Sequence, residues 1–497
     1  MKHLVLFCPL IAIVMLTACA APPPRQLAQS EFMTNADATP ANIFYVAPDG
    51  DDGNPGTQAR PWLTVNKAAA AARAGDVVLI RGGIYKLEVP VLVLNSGTPQ
   101  AWITFKSYPG EKAVIDAAAI DRGAPKIGMR FSHDNGAFQV HAVQYVRVEN
   151  LHVRNSRGAG ISVRDSSYVD IIGNHTENTY SSGISVWDTN HDAKGTEYIR
   201  VLSNTVTRAN TFDMLPTGNT RQSEAPHEAI SIGGAAYFEV AYNHVYDVDK
   251  EGIDVKEVSR HGKVHHNLVE RADRQGLYVD AWFGELEDIE IYENVVRNCR
   301  GAGFAISVEG GEALRNVRFH HNLLYDNLGT GILFARWGGD GPRGDIRIYN
   351  NTLHRNGHGP ASSTGYFWIT GGIYLYSANL EDVEIRDNIL SANRGFQIGY
   401  SDHWLKYDGD GERALQSRRI SVHHNLFFGT DRVTFPIRVG WPPNDYANVF
   451  GFAGEAAVEA DPQFVAPAKG DFRLRAGSPA VGAGSDGGTI GALAPMP

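Results

Sequence analysis

Asp254, Lys256 and Asp280 fall in two successive copies of one short segment, Gly252-Ile-Asp-Val-Lys and Gly276-Leu-Tyr-Val-Asp. Glu228, Glu251, Glu257 and Glu309 lie at the ends of neighbouring copies, with His227 and Tyr278 beside them. Carboxylates gathered around an amine can exchange protons with a bound molecule as general acid and base. Carboxylates together can also hold a hard divalent cation such as Ca2+, for which Glu228, Glu251, Asp254, Glu257 and Asp280 are the candidate ligands. If the copies stack as strands, Lys256 and Asp280 stand roughly 5 Å apart at Cβ, and Asp254 is diagonal to Asp280 at roughly 8 Å. A lysine facing an aspartate across strands is often only a solvated ion pair. Ionisable groups crowded into three copies, among others carrying Ser, Gly or Ala, point instead to a working groove. The expected catalytic set is Lys256, Asp254, Asp280 and Glu309.

Aromatic side chains flank this group. Trp187, Trp282, Trp337, Tyr374 and Tyr376, together with His227, Tyr278 and Arg336, form the expected substrate-binding set. Long insertions at 208–226, 335–345, 355–371 and 401–418 are expected to wall the groove, because long loops on a repeat scaffold usually form binding walls. Two acidic stretches, Asp49–Gly53 and Tyr407–Glu412, read as turns rather than as calcium loops, since neither has the full EF-hand spacing.

The elements that would position these residues come from an internal repeat. An Asn followed by apolar residues recurs at 150, 174, 204, 243, 267, 294, 322, 351, 388 and 425, with spacings between 24 and 39 residues. Between these marks a small residue opens a short alternating segment, as in Gly160-Ile-Ser-Val, Gly183-Ile-Ser-Val, Ala229-Ile-Ser-Ile and Gly303-Phe-Ala-Ile. This is the period of one β-solenoid turn, whose strands stack in parallel at ~4.8 Å. Alternation then sends positions one and three after the small residue inward and positions two and four to solvent. The Asn series is read as structural, able to adopt left-handed turns or to bond in a stacked ladder.

Composition agrees. Glycine is frequent, 53 of 497 residues, alongside 20 Tyr and 21 Phe, which implies many tight turns and few long helices. Length alone would suggest roughly three domains; the repeat replaces these with one, spanning 42–497. The net charge of −10 gives no overall basic field and argues against nucleic acid as partner. At the N-terminus, Met1-Lys2-His3 and the apolar run Leu4–Leu16 read as a secretion signal over 1–18, too short for a membrane span. Leu16-Thr17-Ala18-Cys19 resembles the lipobox of bacterial lipoproteins, which implies lipidation of Cys19 and an outer-membrane anchor in the cell envelope. Residues 19–41, Pro- and Ala-rich, read as a flexible tether. With Cys8 in the leader and Cys19 lipidated, Cys299 has no disulfide partner.

Tyr45-Val-Ala-Pro-Asp-Gly-Asp-Asp-Gly-Asn-Pro-Gly-Thr, Ala74-Gly-Asp-Val-Val-Leu-Ile-Arg-Gly-Gly-Ile-Tyr and Trp102-Ile-Thr-Phe-Lys-Ser-Tyr-Pro-Gly-Glu resemble the opening of right-handed parallel β-helix proteins of the pectate-lyase-like superfamily. Ala460-Asp-Pro-Gln-Phe and Gly470-Asp-Phe-Arg-Leu are similar to their closing segment. The resemblance implies an all-β coil with a short N-terminal capping helix, here over 66–73, and a polysaccharide substrate. Reaction type varies across that superfamily. A polyuronate lyase acting by β-elimination is narrowly preferred, with Lys256 as base and Ca2+ offsetting the field of the nearby aspartates. The consecutive aspartates of such lyases are not found. A glycoside hydrolase using Asp254/Asp280 or Asp280/Glu309 is the alternative. A C5-epimerase is a third reading, because Pro226-His227-Glu228 resembles the epimerase Asp-Pro-His-Glu motif with Ala225 in place of the leading Asp. A non-catalytic polysaccharide-binding solenoid is the fourth.

Overall fold

A computed structural model describes residues 39–121, 135–215, 227–359, 370–429, 436–439 and 445–493. The leader, Cys19, the tether up to residue 38 and parts of the insertions at 208–226 and 355–371 lie outside the described residues. The chain winds into a right-handed parallel β-helix with three faces, each a sheet of 13 strands. One sheet runs from Ile43–Val46 to Ile420–His423, and a second from Gly83–Lys86 to Val458–Glu459. The third begins at Val91–Leu92 and carries the repeated small-residue segments, among them Ile184–Trp187, Ile230–Gly233, Ile253–Glu257, Leu277–Trp282 and Phe304–Gly310. At its far end the parallel order stops. Asp445–Gly451 pairs antiparallel with Ile398–Ser401, and Pro436–Val439 pairs antiparallel with it in turn.

The inward positions behave as the alternation requires. Ile161, Ile184, Ile230, Ile253, Leu277, Phe304, Ile332 and Ile373 are all buried in one continuous core. The outward positions do not. Ser162, Ser185, Ser231, Asp254, Tyr278, Ala305, Leu333 and Tyr374 were expected to meet solvent and are buried as well. In the C-terminal half the reason is a second apolar cluster on this face, built from Ala305, Leu333, Ala335, Tyr374, Tyr376, Phe396 and Val449. That face is therefore open only in its middle turns.

Asn side chains hold one corner. From Asn174 through Asn204, Asn243, Asn267, Asn294, Asn322, Asn351 and Asn388 to Asn425, each Nδ2 donates to the Oδ1 of the next, at 2.9–3.1 Å. Each Nδ2 also donates to a backbone carbonyl, as Asn294 does to that of Val264 at 2.9 Å. The left-handed residue is the one before the ladder position, Ser203, Tyr242, His266, Glu293 or His321, and not the Asn itself. Asn150 is the exception that shows the register. It is left-handed at φ 56 and exposed, it aligns with Gly173, and Leu151 takes the ladder place in that turn.

The capping helix forms over Val65–Ala71, where the Thr64 hydroxyl accepts from the Lys67 N–H at 3.1 Å and Val65, Ala68 and Ala69 are buried. Asp49–Gly53 is a turn region, whereas Tyr407–Glu412, expected as a turn, joins two short helices, Leu405–Asp408 and Gly411–Ser417. Asp52 accepts the N–H groups of Leu63 and Thr64, and Asp410 caps the helix Gly411–Ser417 through the Arg413 N–H. Cys299 is fully buried, and that burial pushes its thiol up to about 12, so it is inert at neutral pH.

Candidate active-site cleft

The middle turns of the third sheet carry a cleft of about 450 Å³. Its register is the one that the spacing requires, with Lys256 beside Asp280 and Asp254 beside Tyr278 on adjacent strands. One turn further on, Asp280 stands beside Ser307. Glu309 comes from an irregularity. The pairing shifts between Ala281 and Trp282, so that Ala281 faces Val308 while Trp282 faces Gly310, and Glu309 is the extra residue between them. Bulges of this kind re-aim a side chain; here the Tyr278 hydroxyl donates to Glu309 Oε1 at 2.5 Å.

Lys256 reaches towards the earlier turns. Its Nζ lies 3.1 Å from Glu228 Oε1 and 3.4 Å from Asp254 Oδ2. Among the described residues no ion pair joins it to Asp280, its neighbour across the strands. Asp280 Oδ2 instead accepts from Trp282 Nε1 at 2.5 Å. Trp282 lies where a Cβ on Gly310 would meet its ring at 2.6 Å, so the absence of a side chain there lets the indole settle. Lys250 Nζ is 3.8 Å from Glu228 Oε1, and Arg274 Nη1 is 3.5 Å from Glu251 Oε1.

These contacts set the protonation states. Burial opposes ionisation of Glu228, but Lys256, Lys250 and His227 hold its carboxyl well below the usual range. Burial and the charge of Glu228 hold Asp254 well above it, and burial with Glu309 does the same for Asp280. Burial also raises Glu309, against the hydrogen bond from Tyr278. The Lys256 ammonium is opposed by burial, yet Glu228, Asp254 and Asp280 keep it protonated beyond its ordinary value. Several buried carboxylate oxygens accept no hydrogen bond from a described residue: both of Asp254, Oδ1 of Asp280 and Oε2 of Glu251. The Lys256 approach to Asp254 is an ion contact without hydrogen-bond geometry.

Asp254, fully buried, sits under the cleft floor and not on its lining. Glu257 lines the cleft but is turned to His191, whose Nδ1 is 2.6 Å from its Oε2, so it belongs to a wall. Trp187 is nearly buried, edge-on to His227 at 4.5 Å between ring centres. Trp282 and Trp337 are partly exposed on the lining, Trp337 edge-on to Tyr278 at 5.6 Å. Three expected contacts are corrected. Tyr374 and Tyr376 are buried in the apolar cluster and offer no ring to a sugar. Arg336 lies off the lining, joined to Asp340 at 3.3 Å and His403 at 2.8 Å.

Lys250, Arg274, Gln275 and Phe283 line the cleft and were missed. The signal was present two residues before the small residue, where successive turns read His227, Lys250, Arg274. Counting only positions two and four after it passed over this column, which carries Lys250 and Arg274.

Comparison with known proteins places the chain beside β-helix proteins. Residues 44–223 match the family described as Pel9A-like, right handed beta helix region, and residues 136–340 match the right handed beta helix region. Over 487 residues the chain is 26% identical to the uncharacterized protein YwoF of Bacillus subtilis (strain 168), covering 89% of this chain and 94% of that one. Over 125 residues it is 28% identical to pectate lyase PEL9 of Emericella nidulans, covering 25% of this chain and 30% of the relative. Among solved structures, that of pectate lyase Pel9A is 14% identical with a TM-score of 0.48, covering 93% of this chain and 98% of that one.

Proposed function

We propose that this protein is a polysaccharide-cleaving enzyme that acts on uronate-containing chains by β-elimination in the cleft. The observation that carries this reading is one cleft combining three cationic side chains, Lys250, Lys256 and Arg274, with buried carboxylate oxygens that lack partners. The cations suit a substrate carboxylate. The orphaned oxygens of Asp254, Asp280 and Glu251, with Glu228 nearby, are hard donors of the type Ca2+ takes, and burying them uncompensated is unfavourable. No three of these oxygens stand together as a ready-made metal group among the described residues, so Ca2+ would have to draw them in; bound there, it would supply positive charge for the substrate carboxylate and offset the field of the aspartates.

In the elimination, a C5 proton passes to Lys256 Nζ, the C4–O bond breaks, and the leaving oxygen takes a proton. Lys256 acts as base only when neutral, and the surrounding carboxylates hold it protonated; the reading therefore requires the field to be offset. Tyr278 and Glu309, both on the lining and both raised by burial above their ordinary values, are the groups placed to protonate the leaving oxygen. Trp282 and Trp337 offer sugar-ring contacts.

One observation favours a second reading, glycoside hydrolysis by Asp280 and Glu309: both line the cleft and both carboxyls are raised, as a general acid requires. The Asp254/Asp280 pair is set aside because Asp254 lies beneath the floor. Incubation with a panel of acidic polysaccharides, with and without EDTA, separates the two. Ultraviolet-absorbing unsaturated ends that vanish with EDTA support elimination; new reducing ends without that absorbance overturn it in favour of hydrolysis. The reading includes a lipid anchor at Cys19, on the sequence alone. Cys19→Ala should move the protein from the membrane pellet to the soluble fraction.

A further inference from the structure

A second group of ligand-type side chains lies on a different face of the coil. His152 opens the strand His152–Ser156, and His175 opens the strand His175–Thr179 on the next turn, both in the second sheet. They are register partners, and their rings stack at 4.3 Å with 3° between planes. Glu177, two residues after His175 and therefore on the same face, brings Oε2 to 3.1 Å from His152 Nε2. One ligand atom from each of the three lies within 4.8 Å of the others, and among the described residues no other three His, Cys, Asp or Glu side chains come together so closely. The cleft carboxylates, spread round Lys256, form no such group.

Hydrogen bonding leaves this group unfinished. His152 Nδ1 and His175 Nε2 are buried and accept or donate no bond to a described residue. A buried imidazole nitrogen without a partner is unfavourable. Two turns further on, the same face supplies its own control. His244 Nε2 meets Glu270 Oε1 at 3.0 Å, but the register partners of His244 are Thr205 and Leu268, and its side chain is 40% exposed. There one histidine meets one glutamate and stays open to solvent. At 152/175 a second imidazole is stacked against the first, and its buried Nε2 has no hydrogen-bond partner among the described residues.

We infer that His152, His175 and Glu177 form a binding site for a borderline divalent transition-metal ion of the Zn2+ class, linking two turns of the coil. Two imidazoles and one carboxylate are a donor set that suits such ions; because ring lone pairs lie in the ring planes, binding requires one imidazole to turn out of the parallel stack, and partly exposed Glu177 leaves a fourth position open to water. Lys112 is the adverse charge, since its positive field reaches both rings. The site is separate from the cleft and takes a different class of cation from the Ca2+ considered there.

The test uses the full chain, stripped of metal, titrated with Zn2+ by calorimetry, and with Co2+ followed by its visible absorption. One Zn2+ per chain should bind and raise the melting temperature, because a ligand bound only by the folded state stabilises it. Glu177→Gln, a change at a partly exposed side chain, should weaken binding about 10-fold or more and remove the Co2+ band, as should His175→Gln. Lys112→Ala should bind more tightly than the parent, an outcome that a misfolded variant cannot mimic. Absence of Zn2+ binding, or binding and a Co2+ band that both variants leave unchanged, overturns the assignment.

Discussion

At Lys256 one side chain is asked to play two parts. It is the candidate base, and it is also the cation that offsets Glu228 and Asp254. Replacing it by Ala removes both, so Lys256→Ala should lower kcat by roughly 100-fold to 10,000-fold, the range general-base catalysis contributes. It should also lower stability, because it leaves buried carboxylates unpaired. Lys256→Arg separates the parts: it keeps the charge and should restore the urea midpoint but not kcat. Equal recovery of both by Arg would reduce Lys256 to a structural ion pair. Tyr278→Phe is a narrower probe. It removes the donor to Glu309 Oε1, a bond that holds the Glu309 carboxyl down against burial. With the hydroxyl gone, the Glu309 pKa rises and the limb of the rate profile that it controls moves to higher pH. A profile that stays in place would take Glu309 out of the rate-limiting proton transfer.

At the scale of the element, the Asn ladder and the cleft bulge call for opposite tests. Asn294 donates to Val264 O and Asn322 Oδ1, and its own Oδ1 accepts from Asn267. Asn294→Ala orphans several buried groups at about 1–3 kcal/mol each and should lower stability by about 3 kcal/mol in urea melts. Activity per folded molecule should hold, since the ladder lies on another corner. Gly310→Ala should do the reverse. Its Cβ would meet the Trp282 ring at 2.6 Å, turning the indole and withdrawing Nε1 from Asp280. Activity should fall more than stability, and a crystal structure with Trp282 unmoved would contradict the argument.

These elements also mark what could be read from the chain alone. The coil was legible because each turn repeats one pattern, and a buried ladder of identical side chains leaves a mark at every period. The cleft was legible in register, with Lys256 beside Asp280, for the same reason. Its depth was not. Asp254 lies under the floor, and Tyr374 and Tyr376 lie in an apolar cluster, because burial on the outward face depends on residues from distant turns that no local alternation encodes. Glu309 was placed only at the end of its copy, since the bulge that aims it is a one-residue shift with no signature in Val308-Glu309-Gly310. Lys250 and Arg274 were missed although their column is plain once the strand is read from two residues earlier.

At the scale of the molecule, stability depends on closing both ends of an open stack. Near the C-terminal end, the His354 ring lies against Phe472 and Phe464 at 5.2 and 5.9 Å, beneath the hairpin of Phe464–Ala466 and Asp471–Leu474. Burial pushes this imidazole down to about 4 from an ordinary value of 6.5. The unfolded chain then binds the proton more readily than the folded one, so stability rises with pH across this window and is lost as pH falls from about 6.5 towards 4. Urea midpoints measured across that range should fall, and His354→Gln should flatten the slope. An unchanged slope in the variant would assign the acid sensitivity to other groups.

The reversed strand Asp445–Gly451 carries one more consequence. Parallel strands stacked at a fixed spacing are, geometrically, a length of cross-β fibre made from a single chain. On the cleft-bearing sheet the reversed Asp445–Gly451 stands between the last coil strand and the outermost strand, Pro436–Val439, and at the opposite end the helix Val65–Ala71 stands over the opening strands. Translation by one turn is the symmetry that builds this protein, and on the cleft-bearing face Asp445–Gly451 is where that symmetry is broken.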